Sequence, residues 1–136
     1  MRVAGATRAA TAGVVSAAIL LAPGCGGGAD KAPTADPVRR ASFRSLAARA
    51  LLAGCPGGAA RAETRLELER LAELDRFAFE KGALRSLQLA RNDWTGLAPH
   101  DRRPPCAPGE AAYRAALAGF SRSLDDFAAS IREYRP

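Results

Sequence analysis

Apolar side chains in the C-terminal part of the chain recur at helical spacing. The clearest run is Tyr113, Leu117, Phe120, Leu124, Phe127, Ile131 and Tyr134. Steps of four and three residues alternate along it, which puts all seven on one stripe of a helix packed along its whole length. Glu110 opens this segment and Arg132 and Arg135 close it, the signs a helix dipole favours at its two ends. Nearer the start, Asp36-Pro37 offers a side-chain cap and a proline at the first helical position. Phe43, Leu46, Ala47, Ala50 and Leu51 then follow as far as Gly54, so a first helix is expected over residues 37–53. Between these segments, Leu66, Leu68, Leu71, Leu74, Phe77, Ala78, Leu84, Leu87 and Leu89 carry a helical pattern interrupted by Gly82. A glycine inside a helix costs about 1 kcal/mol relative to alanine, and one following Glu80-Lys81 also fits a left-handed helix stop. The pattern alone leaves both open.

The N-terminus follows another rule. Arg2 and Arg8 precede residues 9–22, an uncharged stretch ending in small side chains before Cys25, which is the grammar of an export signal. As a helix this stretch would reach about 21 Å, short of the roughly 30 Å hydrocarbon core of a bilayer. Cleavage is therefore expected rather than a retained span. The segment Leu21-Ala22-Pro23-Gly24-Cys25 resembles the lipobox of bacterial lipoproteins, with Ala22 where that pattern prefers leucine and Leu21 one residue early. The resemblance implies that Cys25 is acylated and becomes the new N-terminus, anchoring the protein in the lipid bilayer of the cell envelope, facing the periplasm. Gly26 after the cysteine implies the outer membrane where the host has one. Ala22-Pro23-Gly24 also fits an ordinary cleavage site, which would give a secreted or periplasmic soluble protein. No large apolar residue occurs in residues 25–36, so this piece reads as a flexible tether. The expected organisation is a signal peptide at 1–24, the tether at 25–36 and a helical domain at 37–136.

With Cys25 given to lipid, Cys55 and Cys106 remain, and in an exported chain they are expected to form a disulfide. Both lie in turn-like sequence, where a bridge staples loops without distorting a helix. The fold class is all-α, a small helical bundle cross-linked once. Three long helices would force residues 93–108 to run back along the bundle to join the cysteines. A break at Gly82 gives four helices in up-down-up-down order with both cysteines at one end, and this form is preferred. Only 20 of the 100 residues from 37 to 136 are Leu, Ile, Val or Phe. That is close to the composition at which chains stop folding, so the cross-link and the last helix are expected to carry much of the stability.

The formal charge is +6, with 18 Arg against 2 Lys and 32 Ala, a bias that GC-rich coding produces by itself. Along residues 61–80 the basic and acidic residues alternate, as on a solvated helix face, and no nucleic-acid partner is expected. Arg39, Arg40, Arg44 and Arg49 follow one another in the first helix without an acidic residue between them. They form the one basic cluster suited to anionic lipid. The connection 93–109 holds Trp94, His100, Arg102 and Arg103, and long irregular connections in small domains often bind ligands. None of the phosphate-loop, dinucleotide, metalloprotease, nucleophile-elbow or calcium-loop motifs occurs. No cofactor, metal site or catalytic residue is expected. The leading expectation is a non-catalytic accessory or binding domain that contacts another envelope component. The alternative is a binder of anionic envelope lipid or lipopolysaccharide through helix one or the 93–109 loop. A small hydrolase built on His100 and Asp101 is the weakest, because no serine or cysteine nucleophile is tied to that pair.

Overall fold

The four helices of the domain are α1 (Pro37–Ala53), α2 (Ala62–Glu80), α3 (Leu84–Thr95) and α4 (Glu110–Glu133), with short 3₁₀ turns at Gly58–Ala60 and Pro99–Arg102. They come from a computed structural model that describes residues 36–136. The export segment, the lipobox with Cys25 and nearly all of the tether lie outside the described residues. Residues 35–136 form a compact unit of their own.

Gly82 decides the helix number. Its φ of 91° lies in the left-handed region that a side chain disfavours. The amide of Ala83 then closes on the carbonyl of Ala78 at 2.9 Å, so the chain reverses within a few residues. α3 and α1 run the same way, since Ser86 donates to both carboxylate oxygens of Asp36 at 3.1 and 2.9 Å while Trp94 meets Phe43. α4 runs with α2, as Thr64 and Tyr113 at one end and Gly82 and Tyr134 at the other show. The order is therefore up-down-up-down. Consecutive helices are nevertheless not the principal neighbours, because α1 packs chiefly on α4 and α3, and α2 on α4.

α4 supplies the centre of the core. Tyr113, Phe120, Leu124, Phe127 and Ile131 are fully buried, as their spacing requires. Ala116 joins them, whereas Leu117 is only partly buried. The core face of α1 differs from the one its large apolar residues suggest. Val38, Ala41, Ser42, Ser45 and Leu52 point inward, while Phe43, Leu46, Ala47 and Ala50 sit half-buried at the sides. Small side chains let α1 lie close to α4. The Ser45 hydroxyl donates to the carbonyl of Ala41 at 3.1 Å and approaches that of Ser123 at 3.4 Å, which removes most of the cost of burying it. At the N-terminus, Asp36 accepts from the Arg39 amide at 3.0 Å, the cap that Asp36-Pro37 predicts.

The disulfide between Cys55 and Cys106 forms across 51 residues, with Cα atoms 4.9 Å apart. It ties the turn after α1 to the segment before α4, both at one end of the bundle. Among the described residues, no helix is long and apolar enough to cross a membrane.

Candidate functional site

The disulfide draws the 96–109 connection across the end of α1. Gly54 permits the approach, because a Cβ there would stand 3.2 Å from the carbonyl oxygen of Pro104. Pro99 starts the 3₁₀ turn, in which the amides of Asp101 and Arg102 both bond to the carbonyl of Ala98. The chain thereby presents Arg102 and Arg103 back toward α1 and α3. Between these pieces lies an open groove of about 650 Å³, within the size range of small-ligand sites, roughly 300–1,000 Å³.

Leu46, Ala50 and Ala53 of α1, with Trp94 of α3, make the apolar part of its wall, and Arg49, Arg91, Arg102 and Arg103 make the charged part. Trp94 meets the Phe43 ring edge-on, with centroids 6.0 Å apart at 67°, and so is held in place while still lining the groove. Among the described residues, Arg49, Arg102 and Arg103 have no carboxylate within ion-pair distance. Arg91 approaches one, Asp75 of α2, at 4.0 Å. Burial pushes the Asp75 carboxyl above its ordinary range, against the pull of Arg91 and Arg49. The Arg102 Nε–H is buried without an acceptor, and an unsatisfied buried donor costs about 1–3 kcal/mol. Four arginines lining one groove with Trp94, only one of them with a carboxylate at ion-pair distance, favour an anion.

The residues of helix one do not act together. Helix positions advance by about 100° per residue, so Arg39 and Arg49 turn toward α3 while Arg44 is exposed elsewhere. Arg39 is neutralised by a residue outside its own helix, donating through Nε and a terminal nitrogen to the two oxygens of Asp93, each at 2.7 Å. This pair raises the Arg39 pKa and lowers that of Asp93. Arg39, one of the four arginines that no acidic residue interrupts along the first helix, is thus a strut between α1 and α3. Arg40 is engaged as well. The structure brings Arg49, Trp94, Arg102 and Arg103 into one groove. His100 stays outside it, largely exposed, with Nε2 3.3 Å from Asp101. Arg91 and Asp75 escaped the sequence reading. Arg91 stands three residues before Trp94 and shares its helix face, the one signal that pointed to it.

A second arginine cluster lies where α2 and α4 begin. Arg61 stacks on Tyr113 with its guanidinium carbon 3.8 Å from the ring centre, and Arg114 lies 5.5 Å from it. Arg61 donates to both oxygens of Glu110 at 2.8 Å, and Arg114 donates to Glu110 and to Glu63 at 2.9 Å each. The hydrogen bonds from Arg61 hold the Glu110 carboxyl down to about 2.

Among the described residues, no group of three or more His, Cys, Asp or Glu is arranged to hold a metal ion. Compared with known families, curated proteins and solved structures, the chain matches none.

Proposed function

We propose that this protein is a lipid-anchored, non-catalytic binding domain of the cell envelope that captures an anionic ligand in the groove between α1, α3 and the 96–109 connection. The observation that carries the binding reading is the convergence of Arg49, Arg102 and Arg103 on Trp94 with no carboxylate within ion-pair distance of the three among the described residues. It supports the lipid or lipopolysaccharide reading over a purely protein-contacting one. Both regions singled out in the sequence contribute to the same groove, Arg49 from helix one and Trp94, Arg102 and Arg103 from residues 93–109. The anchor rests on the leader and on Cys25. The groove lies on the half of α1 remote from Asp36, roughly 20 Å along the helix at 1.5 Å per residue.

Trp94 is the only tryptophan, so its fluorescence reports on this groove alone. Titration of residues 35–136 with pyrophosphate at low salt is expected to shift the emission, and added salt to weaken binding. The combined variant Arg49→Gln, Arg102→Gln and Arg103→Gln is expected to abolish the shift. A flat titration of the folded domain overturns the binding reading. The anchor is tested by the intact mass of protein extracted from membranes, where a species starting at Cys25 with acyl chains is expected and an unacylated one overturns that part.

A further inference from the structure

We infer that the ligand is a phosphate monoester carried on an apolar body, bound with its phosphate among the arginines and its apolar part against Leu46, Ala50, Ala53 and Trp94. The inference rests on the reading of this groove as an anion site and adds the chemistry of what enters it.

Charge fixes the headgroup. Arg49, Arg91, Arg102 and Arg103 line the groove, and among the described residues the only carboxylate within ion-pair distance of any of them is Asp75, 4.0 Å from Arg91, leaving a local excess of three positive charges. A monoanion such as a carboxylate or a phosphodiester leaves most of that excess uncompensated. A phosphate monoester approaches two negative charges at neutral pH and offers three acceptor oxygens. Several guanidinium forks can share these oxygens. Size and lining fix the rest. A groove of about 650 Å³ is several times larger than a phosphate ion. Its remaining wall is mostly apolar, with Thr95 the polar exception, so the part of the ligand beyond the phosphate gains by leaving water.

The test uses residues 35–136, which form a compact unit of their own, and three probes that separate charge from apolar body. Dihexanoyl phosphatidic acid, below its micelle concentration, has both features. Glycerol 3-phosphate has the dianion without the chains, and dihexanoyl phosphatidylglycerol has the chains with a single charge. By calorimetry and Trp94 emission, phosphatidic acid is expected to bind at least tenfold more tightly than either of the others. Arg102→Gln with Arg103→Gln is expected to cost at least tenfold, and Arg49→Gln, on a rigid helix, a similar factor. Arg132→Gln in α4 is expected to leave affinity unchanged, with circular dichroism confirming that each variant is folded. If glycerol 3-phosphate or phosphatidylglycerol matches phosphatidic acid, the ligand class is wrong while the anion site stands. If no probe binds, pyrophosphate included, both readings fall. Vesicles containing phosphatidic acid distinguish the sources. Binding with the same Arg102 and Arg103 dependence assigns a bilayer headgroup, and binding of the monomeric probe alone assigns a free amphiphile, the shared chemistry standing in either case.

Discussion

The two arginine clusters use the same residue types to opposite ends. Around Tyr113, Arg61 and Arg114 are matched by Glu63 and Glu110, so the cation over the ring is neutralised and the group braces α2 against α4. Beside Trp94, four arginines line the groove and only Arg91 has a carboxylate, Asp75 at 4.0 Å, while the Nε–H of Arg102 is left without an acceptor. An arginine beside an aromatic ring is therefore not diagnostic by itself. What separates a brace from a binding site is whether the fold also delivers the counter-charge.

The disulfide should give the largest effect, since it holds half of the groove in place. Replacing Cys55 and Cys106 by alanine removes a cross-link over 51 residues, worth about 4 kcal/mol in the chain-entropy model. Thermal melts are expected to show that loss. Calorimetry is expected to show anion affinity falling with it, because Arg102 and Arg103 are no longer held beside Arg49. Undiminished anion binding in the uncross-linked domain would break the comparison.

Tyr113→Phe tests the brace. It removes the buried contact with the Thr64 hydroxyl, 2.9 Å away, and is expected to cost about 1 kcal/mol in denaturant unfolding while anion affinity stays constant. Glu110 makes the same cluster sensitive to acid. Its folded-state carboxyl titrates at about 2 against an ordinary 4.5, so its contribution is complete above pH 4.5 and disappears as the pH falls toward 2. Glu110→Gln is expected to flatten the stability profile within that window and leave the groove untouched. The smallest effect is expected from Asp75→Asn. Burial raises the Asp75 carboxyl from its ordinary range, so its charge is held less favourably in the folded chain than in the unfolded one. The variant is expected to melt no lower than the parent and to bind anions a few-fold more tightly, as the competing charge near Arg49 and Arg91 is gone.

How much was legible differs by helix. α4 could be read in full because large apolar residues at a regular spacing have one way to be buried, and Phe120, Leu124, Phe127 and Ile131 are fully buried. The cap at Asp36-Pro37 was legible because it is local chemistry. α1 was misread at its core face. Alanines and serines surround that helix, and the inward positions Ser42 and Ser45 are chosen by how closely α4 approaches. For the groove, the sequence named Arg49, Trp94, Arg102 and Arg103 without a reason to join them. It also placed Arg39 in a cluster that no acidic residue interrupts along the helix, whereas its partner Asp93 lies 54 residues away in sequence and 2.7 Å away in space.

The sequence by itself determined a helical chain with a thin core and a pair of cysteines suited to a bridge, since periodicity, caps and composition act through neighbours in the chain. Only the tertiary structure decided that Gly82 turns the chain, and which arginines keep their charge unmatched. Neutralisation depends on what lies within a few ångströms in space, and residues as distant in sequence as Arg49 and Arg102 meet only once the disulfide has folded the connection over α1.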